Sequence, residues 1–388
     1  MLAPMKSLLV AWVVLVAGFA GAETNAVIKV ALTSPLDFQV FQRQTAGSGK
    51  VIVAGALEAP GHAALTNADT LEARLIGEAA TNGWMALPFD NRVRGFRGEL
   101  SCPAGGWFRL EVRLAGDGKT IFTTSVEHVG VGEIFLVAGQ SNSANHGEEK
   151  QSAKNPLVVA FGNGAWQPAR DPEPGASGKG GSFLPAFGDA LAEKFKVPIG
   201  LVPLGVGSTS VREWLPAGDL VAAPPATGLN VLTVGSNRWA STGRLFGKIA
   251  EMEKLFGPNG FRAVLWHQGE SDAHQPADRE ISPAQYRQYL QRVIAAARAA
   301  AGWRVPWFVA QASYHNPDDQ GSPELRAAQK SLATDGVALA GPNTDALGPE
   351  FRQDNGRGVH FNARGLQRHG ELWAECVSLW LEQQLAEK

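Results

Sequence analysis

The chain has 388 residues, of which 44% are hydrophobic and 19% are charged, and its formal net charge at pH 7 is −2. This composition is typical of a globular protein and excludes the disordered and fibrous classes. Nucleic acid is not an expected partner, because its phosphate backbone attracts a strongly basic surface that this charge balance does not supply. The length is sufficient for two domains, or for one large domain with a smaller satellite.

Residues 1–22 have the features of a secretory signal peptide. Lys6 supplies a positive charge, and residues 8–19 form an apolar run that is short for a membrane span. Ala20 and Ala22 are small residues at the positions that a signal peptidase recognises. We expect cleavage after Ala22 and export of the mature chain to the periplasm or beyond the cell; the alternative is an uncleaved anchor. No later stretch is apolar and long enough to span a membrane, so no membrane contact is expected after cleavage.

Residues 23–130 are predicted to form a small β-sandwich. The clearest strand is 107–114, where apolar and polar residues alternate as they do in a half-buried strand. A glycine-rich turn precedes this strand, and an Asp-Gly hairpin signal follows it. The other predicted elements are short strands at 27–32, 38–41 and 51–53 and a single helix at 68–80.

Residues 131–388 are predicted to form an α/β domain. Residues 134–138 are a continuous apolar run, as expected of a strand that is buried on both faces of a parallel sheet. Helical and strand patterns then alternate, which indicates a parallel sheet with helices on both faces. The predicted helices are 183–195, 244–255, 283–301, 324–333 and 363–385, and the strands between them are 199–204, 263–266, 307–310 and 337–340.

The first candidate for chemistry is Ser141, in the run Gly-Gln-Ser-Asn at 139–142 that follows the buried strand directly. A serine at the tip of a central strand can project its hydroxyl into a cleft while its own N–H faces a developing oxyanion. Ordinary turns and helix caps show the same residue types, so the pattern alone supports both interpretations equally. It is not the G-x-S-x-G elbow of the α/β-hydrolases.

A nucleophilic serine needs a base, and His360 is the first choice among eight histidines. It precedes Asn362, a candidate N-cap of the last predicted helix, whose apolar stripe would hold the histidine against the core. The alternative is a polar histidine in a loop. His146, His267 and His315 are weaker candidates for the base and are better explained as loop or site-lining residues.

Two further polar loops follow predicted strands. In segment 266–272, Gln268 can donate a side-chain hydrogen bond and Glu270 can accept one from an imidazole. In segment 205–210, glycine residues such as Gly207 let the backbone approach a ligand closely. The alternative interpretation is that both segments are ordinary loops that connect a strand to the next helix. Because sites in parallel sheets gather at the carboxyl ends of the strands, we expect these loops to meet.

Together these blocks resemble the sialic-acid O-acetylesterase branch of the SGNH (GDSL-like) hydrolases, including carbohydrate esterase family six. The resemblance covers the chain from about Gly132 to the C-terminus. It rests on the run at 139–142, Gly207 seven residues before Trp214, segment 266–272, Arg-Ala-Ala-Gln at 326–329, and Val-His-Phe-Asn at 359–362 followed by Gly365. The resemblance implies a flavodoxin-like three-layer α/β/α domain with a parallel sheet, preceded here by a small accessory β-sandwich.

The resemblance also implies roles for individual residues. Ser141 is the expected nucleophile and His360 the base, and the N–H groups of Ser141 and Gly207 with the amide of Gln268 are the expected oxyanion hole. The implied reaction removes O-acetyl groups from a carbohydrate through an acetyl-enzyme intermediate. No cofactor or metal is expected, since the His, Asp and Glu positions lack the spacing of a zinc site.

The orienting acid of the triad is the one departure from the family pattern. The superfamily usually has an aspartate three residues before the histidine, where this chain has Arg357. Glu270 is the first choice for the acid, because some members of the branch use the glutamate of the third block. Asp354 is the alternative, because a turn after it can bring it back to the histidine, and a backbone carbonyl near Arg357 is the third possibility.

The sugar is expected to contact Asn142, Arg212, Trp214 and Trp266, although tryptophan is more often part of the core. Two other functions stay open. One is a non-catalytic carbohydrate-binding protein on the same fold, which the arginine at the aspartate position favours. The other is a small-ester or lipid hydrolase, for which the sequence shows no apolar groove. The fold does not predict which glycan is deacetylated, because substrate choice resides in loops.

Overall fold

The chain is a mixed α/β protein with a large mixed sheet, as described by a computed structural model for residues 29–58, 69–78, 81–89 and 95–386. The predicted signal peptide lies outside the described residues. Within the described part of the chain, no helix combines the length and the apolar character needed to cross a membrane.

The first part of the chain consists of strands: β1 (Lys29–Ser34), β2 (Gln39–Gln42), β3 (Ser48–Glu58), β4 (Thr70–Ile76), β5 (Met85–Ala86), β6 (Gly95–Pro103), β7 (Gly105–Gly116) and β8 (Lys119–Gly139). Strands β1, β3 and β6 form one antiparallel sheet, while β2, β4, β5 and β7 belong with β8 to a second sheet. Leu100 from the first sheet and Leu110 from the second lie in the same buried apolar cluster. Burial of apolar surface therefore holds the two sheets together.

The predicted helix at 68–80 is wrong, because β4 occupies Thr70–Ile76. Leu71, Ala73 and Leu75 are buried and alternate with more exposed residues, which is the period of a strand. All of β4 pairs with the neighbouring strand β7, which contains the predicted strand at 107–114. This pairing between distant segments overrides the local helical pattern.

Strand β8 joins the two parts of the molecule. It pairs antiparallel with β7 as far as Val131, and from Glu133 onward it pairs in parallel with strands of the second part. The predicted boundary between residues 130 and 131 therefore lies inside a strand, without a linker. The buried Glu133 carboxylate accepts hydrogen bonds from Arg43 Nε at 2.6 Å and from Arg262 Nε at 2.5 Å. These bonds tie the two parts of the molecule together.

The second part alternates strands and helices. Its strands after β8 are β9 (Val158–Gly162), β10 (Ala165–Pro168), β11 (Ile199–Pro203), β12 (Leu220–Val221), β13 (Val231–Gly235), β14 (Arg238–Ser241), β15 (Ala263–His267), β16 (Trp307–Gln311) and β17 (Leu339–Asn343). Its helices are α1 (Leu184–Phe195), α2 (Arg244–Phe256), α3 (Pro283–Ala301), α4 (Pro323–Thr334), the one-turn α5 (Gln353–Gly356) and α6 (Ala363–Ala386). The predicted order of long helices and strands is confirmed, while β9, β10 and the small sheet β12-β14-β13 were not predicted.

The central sheet has the order β10-β9-β11-β8-β15-β16-β17, and its neighbours run parallel except for β10 and β9. Side chains of β8 alternate between two apolar clusters. Ile134 and Leu136 pack in the cluster that includes α2, α3 and α4, whereas Phe135 and Val137 pack in the one that includes α1 and α6. Helices thus cover both faces, and the carboxyl ends of β8, β11 and β15 meet at one edge.

Candidate active site

The loops that leave β8, β11 and β15 are in direct contact at the carboxyl edge of the sheet. The backbone N–H of Gln140 donates to the carbonyl of His267 at 2.9 Å, and that of Val206 donates to the carbonyl of Gly139 at 2.9 Å. Three of the predicted blocks, far apart in the sequence, therefore share one site.

The predicted nucleophile and base lie on neighbouring segments. Ser141 begins a single 3-10 turn, is 5% exposed, and its hydroxyl makes no hydrogen bond to any described residue. The next residue, Asn142, donates its Nδ2 to the carbonyl of Val359 at 3.2 Å, and Val359 directly precedes His360. This hydrogen bond holds segment 359–362 against segment 139–142.

His360 is a half-buried imidazole that is neutral near pH 7. Burial, with the nearby His146, lowers the pKa of His360 to about 4, although the carboxylate of Glu270 opposes this shift. The rings of His146 and His360 have their centroids 5.4 Å apart. Within the described chain, the one hydrogen-bond partner of the imidazole is Gln353, whose Nε2 lies 3.2 Å from Nδ1. A neutral imidazole can accept a proton, as a general base must.

The predicted hydrogen bond between Glu270 and His360 is not present. Oε1 of Glu270 accepts from Asn142 Nδ2 at 2.8 Å and lies 3.5 Å from His267 Nε2, while Oε2 has no partner among the described residues. Burial alone would raise the pKa of Glu270, but His267 and the amide of Asn142 lower it to about 2. Glu270 is thus an ionised carboxylate, 3% exposed, that is hydrogen-bonded to Asn142 and not to the base.

The alternative acid, Asp354, also makes no hydrogen bond to His360 in the described structure. It is exposed and has a left-handed backbone with φ of 53° inside α5. Arg357, at the position where the family has its aspartate, is 79% exposed, and its guanidinium lies 4.0 Å from Asp318. Neither residue therefore contacts the imidazole as a triad acid does.

Gly207 reaches the site, but its N–H is already occupied. It donates to the hydroxyl of Ser177 at 2.7 Å, and the same hydroxyl lies 3.0 Å from His146 Nε2. A Cβ on residue 207 would come within 2.6 Å of that ring nitrogen, so the close approach of His146 requires glycine here. The N–H of Ser141, in contrast, has no partner among the described residues.

Gln268 does not offer its amide to the site, contrary to the prediction. It is completely buried, and its Nε2 donates to three acceptors of the protein: Gln140 Oε1 at 3.2 Å, the carbonyl of Thr209 at 3.1 Å and Asp272 Oδ2 at 2.7 Å. An amide has two N–H hydrogens, and both are used here. The residue therefore holds loops together instead of lining an oxyanion hole.

Arg212 is also buried, and its predicted contact with a sugar is not supported. Its guanidinium donates to Asp272 Oδ1 at 3.2 Å, to Ser210 Oγ at 2.8 Å and to backbone carbonyls. Asp272 accepts further bonds from Ser210 Oγ and from Gln268. We refer to Ser210, Arg212, Gln268 and Asp272 as the bracing network, because they hold the loop after β11 against the loop after β15.

The two tryptophans predicted to contact the sugar belong to the core. Trp214 and Trp266 are completely buried and pack edge to face, with ring centroids 5.4 Å apart. Trp214 Nε1 donates to Thr209 Oγ1 at 3.0 Å, and Trp266 Nε1 lies 3.5 Å from the hydroxyl of Tyr286. Asn142 remains at the site, but both hydrogens of its amide are bonded within the protein, which leaves only Oδ1 for a ligand.

The sequence analysis missed Gln353, Arg352 and Ser177. Arg352 lies between the rings of Tyr314 and Phe361, and its Nη1 donates at 2.7 Å to the backbone carbonyl that precedes His360. The run at 326–329 likewise supports the site, because Gln329 Nε2 donates to the carbonyl of Gln268 at 3.0 Å. The available signal for Gln353 and Arg352 was their closeness to His360 in the sequence. Spacing does not tell which loop residue faces the imidazole.

Residues 131–378 match the profile of a family described as carbohydrate esterase, sialic acid-specific acetylesterase. The match covers more than half of the 388 residues. The chain belongs to this family. It is therefore an esterase of the carbohydrate esterase class, and the resemblance found in its sequence blocks is confirmed.

Solved structures similar to this esterase include a carbohydrate acetylesterase from Xanthomonas citri, with a TM-score of 0.53 and 18% identity over 90% of this chain and 74% of that chain. This likeness supports the α/β fold. A protein from Arabidopsis thaliana has a TM-score of 0.44 and 21% identity over 64% of this chain and 98% of that chain. A family two carbohydrate esterase from Clostridium thermocellum has a TM-score of 0.35 and 10% identity over 88% and 93% of the two chains. Comparison with curated proteins gave no match.

Proposed function

We propose that this esterase removes O-acetyl groups from a carbohydrate through an acetyl-enzyme intermediate, with Ser141 as nucleophile and His360 as base. The observation that carries the proposal is the hydrogen bond from Asn142 to the carbonyl of Val359, which links the residue after the serine to the residue before the histidine. Family membership supports ester hydrolysis. The partner-free hydroxyl of Ser141 supports its role as nucleophile.

In the proposed acylation step, His360 takes the proton of Ser141 as the serine oxygen bonds to the acetyl carbonyl carbon. The carbonyl π electrons move to oxygen and form a tetrahedral oxyanion. Collapse of this intermediate breaks the bond to the sugar oxygen, which takes the proton from the imidazolium of His360. Water then attacks the acetyl-enzyme with the same base and releases acetate and free Ser141. The two half-reactions need no cofactor.

The oxyanion is proposed to bind first to the free N–H of Ser141. Gly207 is the second donor, available when the hydroxyl of Ser177 rotates away from it. Each such donor typically stabilises the transition state by about 3 kcal/mol. Glu270 is proposed to act through space, since a buried carboxylate favours the imidazolium that forms on His360. Gln268 is proposed to hold the loops after β11 and β15 together.

The acetylated sugar is proposed to contact Asn142, whose Oδ1 makes no hydrogen bond to any described residue and can accept one from a hydroxyl. The first sheets are proposed to form an accessory β-sandwich, since they share one apolar cluster. The second part is proposed to be a flavodoxin-like three-layer domain, because helices cover both faces of its sheet. We propose that the chain is exported after loss of residues 1–22, and that neither nucleic acid nor membrane is a partner.

The proposal is tested by measuring acetate release from p-nitrophenyl acetate and from a panel of acetylated glycans. We expect Ser141→Ala to lower kcat by about 10⁴-fold or more, because the attacking oxygen is removed. Ser125→Ala is the matched control, since this hydroxyl bonds to Glu127 in the first part of the chain. It should retain full activity.

Other outcomes identify the alternatives. A wild type that binds glycans and releases no acetate from any substrate would contradict the proposal and indicate a binding protein. A preference for longer acyl chains over acetyl would indicate a small-ester or lipid hydrolase. Equal activity of wild type and Ser141→Ala would exclude Ser141 as the nucleophile.

A further inference from the structure

The imidazole of His360 faces an amide where a carboxylate is expected. Its Nδ1 lies 3.2 Å from Nε2 of Gln353. In a serine esterase this ring nitrogen carries a proton that it donates to the orienting group, so that the other ring nitrogen is free to accept the proton of the serine. No carboxylate in the described chain makes a hydrogen bond to His360. Gln353 is therefore the side chain in position to set the tautomer.

Backbone contacts hold Gln353 opposite His360. The preceding residue, Arg352, forms an antiparallel bridge with Phe361, and the N–H of Gln353 donates to the carbonyl of His360 at 3.0 Å. A Cβ on Gly358 would come within 2.3 Å of Gln353 Cγ, so the glycine leaves room for this side chain. These backbone bonds close a short loop, and the loop fixes the position of the Gln353 side chain beside the imidazole.

The amide can present either of its polar atoms to the ring. Among the described residues, Oε1 of Gln353 makes no hydrogen bond, and Nε2 makes none besides that to His360. A half-turn about the last side-chain torsion exchanges the two atoms and breaks no other bond. With Oε1 toward the ring, the imidazole donates its Nδ1–H and its Nε2 is unprotonated. With Nε2 toward the ring, the imidazole holds its proton on the wrong nitrogen.

We propose that Gln353 is the positioning residue of the catalytic histidine: its Oε1 accepts the Nδ1 hydrogen of His360 and holds the tautomer that can take the proton of Ser141. The inference rests on the proposed serine-esterase function. It accounts for Arg357 at the aspartate position, because an orienting group from elsewhere in the same loop takes over that task. A neutral amide stabilises the imidazolium less than a carboxylate does, so the effect of its loss is smaller than that of losing a triad acid.

The charged and titratable groups that face the imidazole are His146, Glu270, Arg352 and Asp354. The two carboxylates among them make no hydrogen bond to the ring in the described structure. A carboxylate introduced at position 353 would therefore be the one within hydrogen-bonding reach of Nδ1. This difference makes the inference testable by a single substitution.

The first test removes the amide at nearly constant volume, in Gln353→Leu. We expect kcat for acetyl-ester hydrolysis to fall by about 10- to 100-fold with KM changed by less than about twofold, because substrate binding is untouched and the base samples both tautomers. Gln367→Leu is the matched control, since Gln367 is exposed on α6 and bonds to Glu371. It should leave kcat unchanged.

The second test restores a carboxylate, in Gln353→Glu. We expect kcat above that of Gln353→Leu, and an acid limb of the kcat/KM profile that moves upward by about 1–2 pH units, because an anion beside the ring favours its protonated form. A role in packing alone would not move this limb. An unchanged limb together with the rate of Gln353→Leu would overturn the proposal, as would a Gln353→Leu variant with wild-type kcat.

The third test needs no variant of position 353. Imidazole ¹⁵N shifts of the wild-type protein, assigned by comparison with His360→Asn, should show the proton of the neutral ring on Nδ1. A proton on Nε2 overturns the proposal even if Gln353→Leu does not fold. Failure of the esterase function itself is distinguished by Ser141→Ala: if that variant retains activity, the serine mechanism is wrong whatever the tautomer of His360.

Discussion

The polar side chains at the active-site edge form two groups that differ in how much of their hydrogen-bonding capacity the protein itself uses. In the bracing network, Nε2 of Gln268 serves three acceptors and the guanidinium of Arg212 is bonded on every nitrogen, with both side chains completely buried. In the second group, which we call the reactive cluster, some donors and acceptors have no hydrogen-bond partner in the described chain. Its members are Ser141, His146, Gln353 and His360.

A polar residue in one of the family's sequence blocks is therefore not necessarily a catalytic residue. The hydroxyl of Ser141 and Oε1 of Gln353 have no partner in the described chain, so a substrate or a proton transfer can engage them. Gln268 donates its Nε2 to Asp272 within the loop after β15 and to the carbonyl of Thr209 in the loop after β11, and buried polar groups that are bonded in this way rigidify a structure. Substitutions in the bracing network should therefore lower stability, whereas substitutions in the reactive cluster should lower activity.

The largest effect should come from the bracing network and appear as lost stability. We expect Arg212→Met to lower the free energy of unfolding by about 3–5 kcal/mol, because the buried charge of Asp272 loses its partner. Urea denaturation followed by tryptophan fluorescence measures this loss. Ser141→Ala, from the reactive cluster, is the contrast and should unfold at nearly the wild-type urea concentration. Equal loss of stability in the two variants would remove the distinction between the groups.

The second effect concerns activity at acid pH, which depends on the protonation of His360 in the reactive cluster. Because burial lowers the pKa of His360 to about 4, the base is neutral over most of the acid range. We expect kcat/KM at pH 5 to stay within about twofold of its value at pH 7, whereas an enzyme whose histidine has the ordinary pKa, about 6.5, would lose about 25-fold. The wild-type pH profile measures this directly. A half-maximal point near pH 6.5 would contradict the burial of the imidazole.

The same shift affects stability with a definite sign. The pKa of His360 is lower in the folded chain than in the unfolded one, so the unfolded chain binds the proton more tightly. Its contribution to folding is thus retained above about pH 6.5 and lost as the pH falls toward 4. Replacement of His360 by Asn should reduce the loss of stability over this range, as measured by urea denaturation at several pH values.

The smallest effects are expected at Glu270 and Asp354, the two carboxylates that act on the imidazole of His360 without a hydrogen bond to it. We expect Glu270→Gln to lower kcat by about fivefold and to move the acid limb to lower pH, because the field of a buried anion is lost while no hydrogen bond to the base is broken. Asp354→Asn should change kcat less, since Asp354 is exposed. A loss of about 10³-fold or more in Glu270→Gln would show that Glu270 binds the imidazole during turnover as a triad acid.

Much of the second part of the molecule could be predicted from local pattern. The strand at 134–138 and the helix at 283–301 both appear as predicted. Burial on both faces of a sheet leaves a continuous apolar run in the sequence, and burial of one helical stripe leaves a clear period. The strand β4 was mistaken for a helix, because its pairing with β7 is a contact between distant segments. The position of Ser141 at the end of β8 followed from the strand assignment alone.

What the sequence by itself determined was the order of elements, the family, and the presence of a serine and a histidine in blocks that end at one edge of a sheet. These depend on residue type and spacing, which are local properties. The tertiary structure alone decided that Trp214 and Trp266 are core residues, that Gln268 braces the loops, and that Gln353 faces His360. Those outcomes depend on which side chains pack together across the chain, and a hydrogen bond or a burial site exists only once both partners are in place.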